Sequence, residues 1–303
     1  MHSRGKQRDI QVFGHRGARG IFPENTIAGF QYLYDIGVTA VEIDVQNAAN
    51  RLTVLAHDPH VTLAHDADIH LVRHITAEQV DQLKVGALRP ASTDHILFPD
   101  QAQLPHEKVP TFDEFCAWAA DHKPMLLNIE VKSHALNPDL YDAPDVIVSD
   151  VVDLLERHGL SDRCVISSFD WRVQAACAKR APEITLGYLT LERTHGTTME
   201  PNVLDGSPWL DGISLDDHNG SLPQAIVDLG GKVWCPYFKD LTIDALKQAQ
   251  ELGLIVNVWT VNDIIDIDQM IAFGVDGIIS DYPARVQNAL ARRDMELSQD
   301  ENP

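Results

Sequence analysis

The chain has 303 residues, 44 % hydrophobic and 23 % charged, a balance that fits a soluble globular protein of one large α/β domain or two small ones. A formal net charge of −21 and a pI of about 4.9 exclude nucleic acid and anionic lipid headgroups as partners of the molecule as a whole. Any phosphate-handling site must therefore bring its own positive charge, from a metal, arginine or lysine. The four cysteines, Cys116, Cys164, Cys177 and Cys235, lie far apart with no Cys-x-x-Cys pair, which points to free, buried thiols. The first ten residues lack the apolar core of a signal peptide, and no later segment stays apolar for about 18 residues. We expect a cytoplasmic protein with no stable membrane insertion.

Strand-like runs alternate with amphipathic stretches almost from end to end. In chain order the runs are IQVFGH (10–15), TAVEIDVQ (39–46), LTVLAH (52–57), MLLNIEVK (125–132), CVISSF (164–169), ITLGYL (184–189), DGISLD (211–216), KVWCPY (232–237), LIVNVWTV (254–261) and VDGIIS (275–280). Between the first two, NTIAGFQYLYDIG carries Ile27, Phe30 and Tyr34 at helical spacing, with Asn25 or Thr26 as N-cap and Gly37 as the stop. PDVIVSDVVDLLERHG and TIDALKQAQELG follow the same pattern and end at glycine. Such alternation predicts a parallel sheet with crossover helices. Ten runs exceed the eight of a closed (β/α)₈ barrel, so two must lie outside it; 52–57 is expected to pair with 39–46 as a hairpin. An open doubly wound sheet is the alternative, but no GxGxxG or GxxxxGK[ST] supports its nucleotide-binding forms. Residues 58 to about 110 form a polar, His-rich insertion, expected as an excursion from one domain that spans 1–303. The tail after about Asp294 is expected to fray.

Polar residues inside strands carry the functional signal. In TAVEIDVQ, Val41, Ile43 and Val45 share one face while Glu42 and Asp44 share the other; in LLNIEVK, Leu127, Ile129 and Val131 oppose Asn128, Glu130 and Lys132. A barrel packs helices outside and side chains inside, so these charges should point inward near the C-terminal strand ends, where barrel active sites lie. Buried unpaired charges cost several kcal/mol each, and three converging carboxylates suit a hard cation with oxygen ligands, Mg²⁺ or Ca²⁺. The competing reading is an internal salt-bridge network of Glu42 and Asp44 with Arg16 and Lys132. His15 and His57 both sit where a strand ends, as a general acid and base would; most of the 14 histidines need no such role. A second Leu-Ala-His-Asp occurs at 63–66, but His65 falls in the polar insertion. Trp259 either faces the mouth as an apolar wall for substrate or packs in the core. Asp281 ends the last strand and either orients a substrate group or caps the next helix.

The ordered set HRG (15–17), PENT (23–26), EIDV (42–45), HD (57–58), EVK (130–132), WTVN (259–262) and SDYP (280–283) resembles the glycerophosphodiester phosphodiesterase family, over residues 12 to about 286. The resemblance implies a TIM (β/α)₈ barrel with the family's insertion at about 58–110, after the second barrel strand region. It implies His15 and His57 as the acid and base, Glu42, Asp44 and Glu130 as ligands of one divalent cation, and Arg16 and Lys132 as phosphate contacts. The activity implied is that of a phosphoric diester hydrolase. It releases sn-glycerol 3-phosphate and an alcohol from a small-molecule diester such as glycerophosphocholine or glycerophosphoethanolamine, a step in lipid and glycerol metabolism. The Lys-Asp-Gly turn frequent after EIDV in the family is replaced here by QNAANR, which changes the hairpin and leaves the mapped site intact. Two rival readings stand beside it: a lysophospholipase D or sphingomyelinase D-like enzyme on acylated substrates, and a non-catalytic barrel that binds phosphate ligands.

Overall fold

A computed structural model describes residues 9–63, 68–86, 96–195 and 200–300. Eleven strands occur among them: β1 (Gln11–His15), β2 (Ala40–Ala48), β3 (Leu52–Leu55), β4 (His60–Thr62), β5 (Ile69–Leu71), β6 (Leu126–Val131), β7 (Cys164–Ser168), β8 (Thr185–Thr190), β9 (Val233–Pro236), β10 (Ile255–Val258) and β11 (Gly277–Ser280). The main sheet runs β1-β11-β10-β9-β8-β7-β6-β2-β3, and β1 also pairs with β2, which closes it. All barrel neighbours are parallel; β3 alone is antiparallel, folded back on β2 with Val45 opposite Leu55. The chain is therefore a closed (β/α)₈ barrel with one hairpin strand. Nine of the ten runs are strands.

The tenth, 211–216, is not. Asp211 and Gly212 take positive φ (54° and 77°), and Leu215–His218 is a short 3₁₀ turn capped by the Ser214 hydroxyl. The alternation of Ile213 and Leu215 comes from two side chains packing on the core from a loop, not from pleating.

Alternation sorts the rest. Val41, Ile43, Val45, Leu127, Ile129 and Val131 join Phe30, Leu33, Phe115, Val151 and Leu155 in the layer between strands and helices. The opposite faces of the same strands line the barrel. The helix Ile27–Asp35 starts at Thr26, whose hydroxyl accepts from the Gly29 N–H at 3.2 Å, and ends just before Gly37, whose φ is 76°.

The described part of the insertion contains the β4–β5 ribbon and its own small core of Val72, Ile75, Val80 and Leu83, which continues onto Ala48 and Val54 of the hairpin. Further along, the Gln101 amide donates to the Arg19 carbonyl at 2.6 Å, so the insertion also packs on the loop after β1. His65 and Pro90 lie outside the described residues. All four cysteines are free and buried, as expected.

Candidate active site at the C-terminal mouth of the barrel

Strand register assembles the site. His15 of β1 lies beside Glu42 of β2, and Asp44 of β2 lies beside Glu130 of β6. Lys132 follows β6, its N–H donating to the Val45 carbonyl at 2.9 Å, one inward position above Glu130. The turn after β1 brings Arg16 back over them. Arg16 adopts φ 49°, a left-handed conformation that costs a residue with a Cβ about 1–2 kcal/mol. In return its N–H donates to Glu42 Oε2 at 3.0 Å. The flanking glycines permit the turn: Gly17 has φ 87°, and a Cβ on Gly14 would lie 2.0 Å from the Gly17 carbonyl oxygen.

Oxygens of Glu42, Asp44 and Glu130 lie within 4.8 Å of one another, the one cluster of that kind among the described residues. All three residues are buried. Burial, followed by the neighbouring charges of Asp44 and Glu130, pushes the Glu42 carboxyl well above the usual carboxylate range. Burial also opposes charge on Asp44, but Arg16 and Lys132 outweigh it and hold its carboxyl low. Asp44 Oδ1 is buried without a hydrogen bond, facing Lys132 Nζ at 3.3 Å. Three crowded carboxylates with an unsatisfied oxygen fit a hard divalent cation: it would relieve the repulsion on Glu42 and take the lone pairs left over.

The cations of the site are tightly held. Arg16 Nη1 donates to Glu24 at 2.9 Å and its Nε lies 3.2 Å from Asp44; Lys132 Nζ donates to Glu130 at 2.6 Å. Burial opposes both charges, yet the surrounding carboxylates raise both pKa values above the ordinary range, so both residues stay cationic. The salt-bridge reading of the sequence is thus present in the same geometry that assembles the carboxylates.

Each histidine is fixed through Nδ1 by a carboxylate at 2.6 Å: His15 by Asp281, His57 by Asp58. That contact sets the tautomer and leaves Nε2 for other work. His15 Nε2 lies 3.8 Å from Glu42 Oε2. Burial, then the charges of Lys132 and Arg16, lower the His57 pKa, so its imidazole is neutral at neutral pH.

Five further side chains support the site: Asp281, left open by the sequence between a substrate contact and a helix cap, and Glu24, Asn25, Tyr141 and Arg73, which the sequence reading gave no role there. The Asp281 carboxylate contacts His15 Nδ1 through one oxygen and accepts from the Asn262 amide at 2.6 Å through the other, so it orients His15. Glu24 holds Arg16 and lies 2.7 Å from Arg19 Nε, and Asn25 donates to Asp44 at 3.0 Å; both belong to the PENT motif, whose polar residues carried the signal. Tyr141 lies near Lys132, its hydroxyl pushed up to about 12 mainly by burial. Arg73 of the insertion pins that loop by donating to the carbonyls of Asp139 (2.8 Å) and Tyr141 (3.1 Å). Trp259 is half-buried at the mouth, and its indole N–H donates to the Cys235 carbonyl at 2.8 Å.

Buried charges and anchored imidazoles gathered at the C-terminal mouth of a closed (β/α)₈ barrel are the arrangement of a barrel enzyme. Residues 15–285 match the family described as the glycerophosphoryl diester phosphodiesterase family, and the chain belongs to it. A glycerophosphodiester phosphodiesterase of Caldanaerobacter subterraneus is 25 % identical over 281 residues, covering 93 % of this chain and 98 % of that one. A crystal structure from Silicibacter pomeroyi assigned by name to the same family is 34 % identical, with TM-score 0.82 over 96 % of both chains. An Oleispira antarctica phosphodiesterase, solved in complex with the product sn-glycerol-3-phosphate, shares the fold at 22 % identity, with TM-score 0.70 over 93 % of this chain and 96 % of that one. Among the described residues no helix is long and apolar enough to cross a membrane.

Proposed function

We propose that this mouth hydrolyses glycerophosphodiesters such as glycerophosphocholine or glycerophosphoethanolamine to sn-glycerol 3-phosphate and the free alcohol. Glu42, Asp44 and Glu130 would hold one divalent cation, Mg²⁺ or Ca²⁺, and His15 and His57 would move the protons. The observation that carries the reading is the pair of imidazoles, each locked through Nδ1 by a carboxylate and set beside one carboxylate cluster. The product bound by the Oleispira antarctica protein is the product expected here.

When bound, the cation supplies Lewis-acid charge toward the phosphate oxygens. Arg16 and Lys132 bind the remaining phosphate oxygens and stabilise their charge as it redistributes. One histidine accepts the proton of the neighbouring glycerol hydroxyl as that oxygen attacks phosphorus. The other donates a proton to the departing alkoxide, which leaves as the alcohol. Water then opens the cyclic phosphate with the two proton transfers reversed. The Asp281 carboxylate keeps the His15 ring in place through both steps, and Asp58 does the same for His57.

Release of glycerol 3-phosphate from glycerophosphocholine tests this, measured with EDTA and after Mg²⁺ or Ca²⁺ is restored. Metal-dependent release is expected; no release from folded protein with any metal would overturn it. A second reading, hydrolysis of acylated substrates, is favoured by exposed apolar side chains on the loops and helix start that follow barrel strands: Leu136, Leu204, Ile264 and Ile265. Turnover of lysophosphatidylcholine well above that of glycerophosphocholine would decide for it.

A further inference from the structure

The barrel mouth has an aromatic side that the phosphodiester chemistry does not use. Phe169, Tyr237 and Trp259 stand on or just beyond the C-terminal ends of β7, β9 and β10. Trp259 meets Phe169 edge-on at a ring-centroid distance of 5.3 Å and Tyr237 at 5.2 Å. His195, from the loop after β8, continues the wall at 5.1 Å from Tyr237. The wall adjoins the carboxylates. Trp259 packs on Phe13, Ala40 and Ile279 of the barrel interior, and the Cys235 thiol, one inward position before Tyr237, feels the charges of Glu42 and Glu130. A plug that only fills the barrel would be buried; all four rings keep partial exposure.

The outer end of the wall is built on a buried aspartate. Asp240, its side chain 1 % exposed, binds His195 Nε2 at 2.7 Å and accepts from Arg193 Nε at 2.9 Å and from the Glu192 N–H at 2.8 Å. This fixes the face of His195 against Tyr237, neutralises Arg193, and sets the exposed Glu192 at the rim. Burial, and after it the charges of Asp240 and Asp266, push the Tyr237 hydroxyl up, so two carboxylates stand near this ring. Aromatic faces backed by carboxylates recognise a cation that hydrogen bonds poorly, through cation–π attraction.

Resting on the phosphodiesterase reading of the mouth, the geometry points to a subsite, formed by Trp259, Tyr237 and His195 with Glu192 at its rim, that binds a quaternary ammonium group on the leaving alcohol. Such a substrate is a zwitterion. Its phosphate meets Arg16, Lys132 and the carboxylate cluster on one side of the mouth, and its cation meets the aromatic side. A net charge of −21 favours its approach over that of a diester with a neutral or anionic headgroup.

The experiment compares kcat/KM for glycerophosphocholine, glycerophosphoethanolamine and glycerophosphoglycerol in the wild type, Tyr237→Ala and Tyr237→Phe. The wild type should prefer the choline diester over the glycerol diester by about tenfold, within the range cation–π contacts reach. Tyr237→Ala should lose most of that preference through KM, and Tyr237→Phe, which keeps the ring, should retain it. A second measurement needs no variant: inhibition of the wild type by choline against its neutral isostere 3,3-dimethyl-1-butanol. Choline should act at about tenfold lower concentration. Equal inhibition by the two, a wild type indifferent to headgroup or favouring ethanolamine, or an alanine variant with the wild-type ratio would overturn the subsite while hydrolysis itself stands. No hydrolysis of any diester would overturn both the subsite and the reading beneath it.

Discussion

The two sides of the barrel mouth are built from the same strand geometry and the opposite chemistry. β1, β2, β6 and β11, with the hairpin loop, present Glu42, Asp44, Glu130, Lys132, His15 and His57, with Arg16 folded over them. Every charge there has a partner within about hydrogen-bond reach, because an unpaired charge at that depth would cost several kcal/mol. β7 to β10 present Phe169, Tyr237 and Trp259, which hold their positions by ring packing, with the Trp259 indole N–H bonded to the Cys235 carbonyl. One side is rigid through paired charges and the other through packed rings. On the proposed reading the phosphate meets the first and the leaving alcohol the second, with the reacting bond where the two meet.

That contrast orders the expected effects. Removing the divalent cation with EDTA should abolish turnover, and its restoration should recover it, read as glycerol 3-phosphate release; activity that persists in chelator would remove the metal from the charged side. His15→Ala and His57→Ala should each lower kcat by about 10²–10⁴-fold, the range of general acid–base catalysis. A variant near wild-type turnover would strike that residue from the pair. Asp281→Asn should cost about tenfold to a hundredfold in kcat, less than loss of His15 itself, because the ring remains but its tautomer is no longer held. Asp281→Glu should recover part of it. On the aromatic side, Trp259→Ala should raise KM by about tenfold and lower kcat less, since its ring binds and moves no proton. A pure kcat effect would place Trp259 with the charged side instead.

The charged side was the legible one. Glu42 and Asp44 in TAVEIDVQ and Glu130 and Lys132 in LLNIEVK interrupt β-rich runs at a period of two, and a polar residue inside a buried strand has few explanations. The same alternation predicted the parallel sheet with crossover helices, and the short spacing of 39–46 and 52–57 the β2–β3 hairpin; the closed barrel, rather than an open sheet, came with the family resemblance. What escaped depended on closure or on loops. Asp281 reaches His15 across 266 residues only because β1 and β11 pair to close the sheet, and nothing local to SDYP encodes that. The 211–216 run imitates a strand because Ile213 and Leu215 alternate, but Asp211 and Gly212 have already turned the backbone to positive φ. The β4–β5 ribbon has three residues per strand, too few for a periodic signal. On the aromatic side a buried ring and a substrate-facing ring look alike in sequence, which is why Trp259 stood open between wall and core.

The smallest expected effect concerns the foundation of that aromatic side. Asp240 is opposed by burial, but the hydrogen bonds from His195, the Glu192 N–H and Arg193 outweigh it and hold its carboxyl below the usual range. A carboxyl depressed in the folded state stabilises the fold above its ordinary pKa, near 3.9, and that contribution disappears as pH falls through the lower folded value. Asp240→Asn should therefore cost about 1–2 kcal/mol at pH 7, in line with lost charge-assisted hydrogen bonds. The difference between variant and wild type should narrow below about pH 4. Urea denaturation of both proteins at pH 7 and at pH 3 measures it. A difference that stays constant between the two would mean that the loops after β8 and β9 are held by packing alone, and that the aspartate's charge matters to what approaches Tyr237 rather than to the fold.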